Sequence, residues 1–109
     1  MTLVIKSECI DVKDGACAAV CPVDCIYEGE RMFYIHPSEC IECGVCESVC
    51  PVDAIRFEDE IVAADQSFIA INREVFADAE GGLIAPGGWS RKSTPLRDHP
   101  AVATRPTKN

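Results

Sequence analysis

The stretch CIECGVCESVCP, residues 40–51, decides how the rest of the chain reads. It places Cys40, Cys43, Cys46 and Cys50 in one run of eleven residues, closed by Pro51. Three thiols two residues apart on a tightly turning loop can surround one polynuclear centre. A fourth, displaced along the next helical turn, points away from it. Proline then stops the turn. Zinc sites usually present two C-x2-C pairs separated by a longer loop, a pattern this run matches poorly.

C-x2-C-x2-C-x3-C-P is the spacing of bacterial iron–sulfur ligation, in which the fourth cysteine serves a second cluster. The second cluster's half lies upstream. CPVDCIY at residues 21–27 repeats as CPVDAIRF at residues 50–57, with Cys25 in the place of Ala54. The first half reads Cys9, seven residues, Cys17, three residues, Cys21 and Pro22. Five residues separate Cys40 from Cys46, so the first copy has gained two and lost its middle cysteine. Aligned from the left, Val12 takes the place of Cys43; aligned from the right, Asp14 does. Valine cannot ligate iron, whereas aspartate can.

All eight cysteines fall between Cys9 and Cys50, and the 59 residues after Cys50 have none. MTLVIKSECIDV has no basic region followed by an apolar run, and an acid arrives by Glu8. No apolar stretch approaches the ~20 residues of a membrane span. The expectation is a soluble, cytoplasmic protein, where many cysteines mean metal or redox chemistry more often than disulfides. So small a cysteine-rich half cannot fold on apolar burial alone, which makes the cofactor part of the core. Charge is uneven too. Residues 1–80 hold 5 Lys/Arg against 17 Asp/Glu, a net of −12, while residues 81–109 hold 5 against 1, a net of +4. An acidic body repels nucleic acid and favours basic protein partners.

The expected fold is α+β, a pseudo-twofold two-cluster core of two short β-hairpin and helical-turn halves. TLVI, CIYE, MFYI and AIRF read as its strands. ACAAVC and CGVCESVC allow one or two helical turns each, ended by Pro22 and Pro51. Residues 1–60 form this core, and residues 61–109 form an extension. SFIAINREVFADAE sets Phe68, Ile71 (with Asn72), Val75, Phe76 and Ala79 on one side, which predicts a helix over about 66–80. Ser67 or Asp65 would cap it, and Gly81-Gly82 would end it. The basic tail from 81 reads as irregular, anchored by Trp89 and Leu96.

With these motifs in view, residues 1 to about 60 resemble the seven-iron bacterial ferredoxins, particularly the actinobacterial type with a C-terminal extension. The resemblance rests on C-x7-C-x3-C-P followed by C-x2-C-x2-C-x3-C-P, with PVDCIYEG and IHP nearby. It implies a 3Fe–4S cluster on Cys9, Cys17 and Cys50. It implies a 4Fe–4S cluster on Cys21, Cys40, Cys43 and Cys46, with Cys25 a non-ligand. The crossed ligand pattern agrees: one cluster receives four thiolates and the other three, and a cubane lacking one iron needs three. Asp14 as a fourth ligand, giving two 4Fe–4S clusters, remains the alternative.

Other residues read as structural. His36 marks a turn, and His99 has no partner in the tail and reads as solvent-exposed. Tyr27, Phe33 and Tyr34 read as shielding, and Asp24 and Asp53 as local turn residues. No nucleophile–base set, phosphate loop or dinucleotide fingerprint is present, so the chain does not read as an enzyme. The expected function is a soluble, monomeric one-electron carrier with an acidic docking surface. The resemblance adds a ferredoxin reductase as donor and a redox enzyme such as a haem monooxygenase as acceptor. An electron-relay subunit of a larger redox complex is the other reading.

Overall fold

A computed structural model of the chain describes residues 3–77, 82, 84, 88 and 96–106. Four three-residue strands form in the places expected: β1 (Leu3–Ile5), β2 (Ile26–Glu28), β3 (Phe33–Ile35) and β4 (Ile55–Phe57). Two five-residue helices lie between them, α1 (Ala16–Val20) and α2 (Val45–Val49). Helices this short do not persist alone. They pack on one another, and each closes at a Cys-Pro step, since the proline supplies no N–H to continue the ladder.

The strand pairing departs from two self-contained halves. β1 pairs with β4, in register Leu3↔Phe57, Val4↔Arg56 and Ile5↔Ile55. β2 pairs with β3, in register Ile26↔Ile35, Tyr27↔Tyr34 and Glu28↔Phe33. Each sheet therefore takes one strand from each half. The reason is reach: within a half, a cysteine loop and a helix separate the two strands. Across the halves, β2 and β3 are joined by a short turn, closed where the Gly29 N–H donates to the Met32 carbonyl at 2.8 Å. All three residues of β1 and of β3 are buried, so their apolar runs show no alternation. Both faces of these strands are covered.

What covers them comes from beyond residue 60. Helix α3 (Ser67–Glu74) buries Phe68, Ile71 and Asn72. Asn72 ties the two sheets together. Its Oδ1 accepts from the Ile5 N–H (3.2 Å) on β1 and from the Ile35 N–H (3.0 Å) on β3. Its Nδ2 donates to the carbonyls of Ile5 and Phe68, both at 2.9 Å. The helix stops at Glu74, short of the range read from its periodicity. Phe76 and Ala77 donate to carbonyls three residues back, so the chain tightens out of the α-helix there. Phe76 is nonetheless fully buried. No side chain caps the start at Gln66. Ala79, Gly81 and Trp89 lie outside the described residues.

Among the described residues the tail holds one more element, α4 (Pro100–Ala103), where an irregular course was expected. Proline at its first position costs no hydrogen bond, and the His99 Nδ1 caps it by accepting from the Ala101 N–H at 3.0 Å. His99 is thus partnered rather than free in solvent, since its Nε2 also lies 2.7 Å from a Glu74 carboxylate oxygen. Leu96 donates to the Glu28 carbonyl at 2.7 Å and packs, partly buried, on the core. Buried Asp98 accepts from the Tyr34 hydroxyl (2.9 Å) and the Arg31 N–H (3.2 Å). The Arg31 guanidinium forks onto Asp11 and also donates to the carbonyls of Val102, Arg105 and Pro106. Phe68, Ile71, Phe76 and Val102 share one core cluster with β1 and β3. The extension completes the core of residues 1–60. No helix among the described residues is long and apolar enough to cross a membrane.

Candidate metal centre

The internal repeat is visible in the backbone around the cysteines. Gly15 (φ +82°) and Gly44 (φ +77°) precede α1 and α2 in the left-handed region, the conformation that favours glycine. Cys21 and Cys50 follow the same two helices in extended conformation. Three residues further, Asp24 and Asp53 take φ +53° and +55°, and the N–H of each donates to the carbonyl of its Cys at 3.4 Å. The turn expected at each aspartate is closed by its backbone. Aspartate is among the few residue types that tolerate this left-handed geometry.

These turns divide the eight thiols between two hollows. Cavity one is lined by Cys9, Cys17 and Cys50, with Val12, Asp14 and Ala54. Cavity two is lined by Cys21, Cys25, Cys40, Cys43 and Cys46. Counting the space at their open mouths, they enclose about 300 and 290 Å³. The division is crossed: Cys50, at the end of α2, faces the cavity of α1's Cys17, and Cys21, at the end of α1, faces that of α2's Cys46. The packing of α1 on α2 brings each helix end to the other's site. Among the described residues no three His, Cys, Asp or Glu side chains converge closely enough to hold a lone metal ion. The thiols border hollows instead.

Both candidates for the missing ligand position face cavity one. Val12 is 44% exposed there. Asp14 is exposed as well, and its Oδ2 accepts from the Ala16 N–H at 3.2 Å, at the start of α1. The two-residue-longer loop is pinned at both flanks. Lys13 bonds Glu28 at 2.8 Å and the Glu30 carbonyl at 3.3 Å, and Asp11 holds Arg31.

Backbone N–H groups already aim at sulfur. Phe33 donates to Cys9 Sγ, Glu42 to Cys40 Sγ and Ala54 to Cys50 Sγ, each at 3.4 Å. Cys25, buried at the wall of cavity two, lies 3.5 Å sulfur to sulfur from Cys21. Hydrogen bonding to Cys40, then burial, then its bond to Cys21 push the Cys25 thiol far up, so it stays protonated. Burial, followed by the neighbouring Cys9, raises Cys17 to about 12. Burial, followed by Cys40, raises Cys46 to about 12. Packing several thiolates into an apolar space is unfavourable until a cation compensates them, and bound iron inverts that logic. Soft sulfur donors around two apolar hollows fit iron–sulfur clusters.

His36 supports this loop more directly than the sequence reveals. Buried, it accepts at Nδ1 from the N–H groups of Ser38 (3.2 Å) and Glu39 (3.3 Å). Its carbonyl accepts from Cys40, and its own N–H donates to the Cys25 carbonyl. Nε2 lies 2.6 Å from the Ile84 carbonyl. His36 therefore orients the approach to Cys40. Tyr27 and Tyr34 are equally structural. Tyr27's hydroxyl donates to Glu39 and accepts from the Gly88 N–H, and its ring packs edge-on against Phe76. Sequence reasoning set Asn72 on the apolar side of α3 without giving it a role, and it missed Arg31 and Asp98, which nothing local marks.

A family model described as "4Fe-4S binding domain" matches residues 33–56, which carry four of the eight cysteines. Fold and site together define an iron–sulfur protein. A ferredoxin of Streptomyces griseus is 51% identical over 108 residues, covering 99% of each chain. A ferredoxin of Mycolicibacterium smegmatis is 49% identical over 96% of this chain and 95% of its own. A protein named "Ferredoxin 7Fe" from Hydrogenibacillus schlegelii is 53% identical over 76 residues, 70% of this chain and 97% of its own. The chain belongs to the ferredoxins, which carry electrons on iron–sulfur clusters.

Proposed function

We propose that the protein is a seven-iron one-electron carrier. Cys9, Cys17 and Cys50 would hold a 3Fe–4S cluster in cavity one, and Cys21, Cys40, Cys43 and Cys46 a 4Fe–4S cluster in cavity two. The observation that carries this reading is the unequal division of thiols between two equivalent hollows. Cavity one offers three sulfurs, with Val12 and Asp14 where a fourth would stand. Similarity to the protein named "Ferredoxin 7Fe" supports it.

Cavity two offers five sulfurs, one more than a cubane takes. Repeat symmetry assigns the spare. Cys25 stands where Ala54 stands in the other half, and Ala54 lines cavity one without any ligating atom. Cys25 is then a buried thiol whose sulfur lies 3.5 Å from that of Cys21.

When bound, the clusters supply reversible one-electron chemistry at potentials set by cluster type, charge, hydrogen bonds to sulfur and exposure. The chain supplies the rest. The N–H groups of Phe33, Glu42 and Ala54 offset negative charge on sulfur, and the apolar walls keep water from it. An acidic body would dock weakly on basic faces of a donor reductase and an acceptor, for which a haem monooxygenase is the expected example.

Iron and sulfide analysis with EPR, on protein purified without oxygen, tests the assignment. Seven irons with an oxidised 3Fe signal are expected. Eight irons, with the 3Fe signal absent, would instead place Asp14 on a second cubane, a reading supported by Asp14's position at the rim of cavity one. Stable co-purification with a large redox enzyme would favour a relay subunit over a free carrier.

A further inference from the structure

We propose that the mouth of cavity two, at the Cys43 edge, is the surface on which the redox partner docks, and that this partner is a basic protein with an apolar contact face. The inference rests on the carrier reading and adds which of the two sites exchanges the electron.

The two cavities are equivalent by internal repeat, but their mouths differ. At cavity one, Cys9 and Cys17 are buried, and the longer loop over them is fastened by Lys13 and Asp11. At cavity two the loop is two residues shorter, and Cys43 is the one exposed thiol of the eight. Electron transfer weakens steeply with distance, so the shortest route out passes through that sulfur.

The surroundings of Cys43 have the makeup of an interface. Ile41 and Val23 line the cavity and are 57% and 38% exposed. Val45, which directly precedes Cys46, is 41% exposed. Isolated apolar residues on a surface mean little. Several flanking one exposed ligand sulfur do mean something, because apolar patches of this kind mark contact sites. Acids flank these apolar residues: Glu42 sits between Ile41 and Cys43, Asp24 follows Val23, and both are exposed. An apolar centre within a charged rim is how protein interfaces are built, and the sign of this rim selects a cationic partner.

Lysine substitutions with charge-matched controls test the face, using holoprotein reduced with dithionite and freed of the excess as the donor, and oxidised cytochrome c, a basic haem protein, as the acceptor. Iron content is checked for every holoprotein variant. Ile41→Lys and Glu42→Lys are expected to slow the second-order reaction by about tenfold. Val62→Lys and Glu30→Lys carry the same charge changes away from this mouth and should stay within about twofold. An independent readout needs no electron transfer: carbodiimide cross-linking of holoprotein to cytochrome c, followed by peptide mapping. Cross-links at Asp24 and Glu42 support the proposal. Links centred on Asp11 and Asp14, equal slowing by the control variants, or no cross-linked complex would overturn it. Failure of the carrier reading looks different. Wild-type holoprotein would then reduce no cytochrome c, while the cross-link map still reports which face binds.

Discussion

Replacing Asn72 with alanine tests the core that holds both cavities in place. The side chain is buried, and it bonds helix α3 to the backbones of both β1 and β3. Truncation strands the N–H groups of Ile5 and Ile35 beneath α3, where water does not replace the lost acceptor. Each buried donor left unpaired costs ~1–3 kcal/mol, which puts the whole effect at about 4 kcal/mol. That is a large share of the ~5–15 kcal/mol that separates a typical fold from its unfolded chain. Unfolding releases the clusters irreversibly, so the measurable quantity is a rate, the bleaching of visible cluster absorbance in guanidinium. If the Asn72 bonds are broken in the unfolding transition state, 4 kcal/mol corresponds to roughly a thousandfold faster bleaching. Partial retention of those bonds still leaves at least about tenfold. Arg73→Ala, an exposed change one residue along, should stay within about ±0.5 kcal/mol. Bleaching of the Asn72→Ala protein within about twofold of wild type would refute the bridging role, since such a ratio is below ~0.5 kcal/mol.

Cys25→Ala is expected to leave the iron and sulfide content and both EPR signals unchanged; loss of either cluster would make Cys25 a ligand. Gly29→Ala should destabilise the fold and loosen the tail, because a Cβ there would collide with the Tyr34 ring and stand 2.7 Å from Asp98 Oδ1 and 2.8 Å from the Met32 carbonyl. Faster proteolytic cleavage between residues 78 and 106 reads that effect. Arg31→Gln removes the clamp between the Asp11 loop and the carbonyls of Val102, Arg105 and Pro106. Amide exchange should accelerate in α4 while β1 and β4 stay protected. Alkali supplies a fourth test. Burial first, then Asp98, raises the Tyr34 hydroxyl, and burial first, then Glu39, raises Tyr27. Both raise the folded pKa above that of the unfolded chain, so the stabilisation is intact below about pH 10 and lost as pH rises beyond it. Bleaching should quicken above that pH, less steeply in Tyr34→Phe; an identical slope in that variant would count against the burial of Tyr34 as the cause.

Elements governed by near neighbours in the chain were legible from residues alone. The four strands lie where short apolar runs predicted them, and α1 and α2 lie where spaced cysteines end in Cys-Pro. The crossed division of thiols follows from the same local grammar, because one helical turn sets the direction of each ligand. Even the altered first copy could be read, since two added residues and one missing cysteine are matters of counting. The helix α3 was visible as a stripe of Phe68, Ile71 and Phe76, although its end was not. That end depends on the tightened turn at Phe76 and Ala77, which periodicity does not report.

What the chain alone determined is the chemistry: how many thiols there are, how they are spaced, and which ones a turn or helix brings together. Those facts are short-range, and cysteine and proline have narrow enough chemistry to state them outright. Tertiary structure alone decided that β1 pairs with β4, that Asn72 joins the two sheets, and that Arg31 and Asp98 fasten the tail. It also decided that Cys43, at the rim of cavity two, is the exposed thiol among two sites the repeat makes equal. These contacts span as many as 75 residues. An arginine or aspartate looks the same in sequence whether it is solvated or buried, so its role appears only when distant chain segments meet around it.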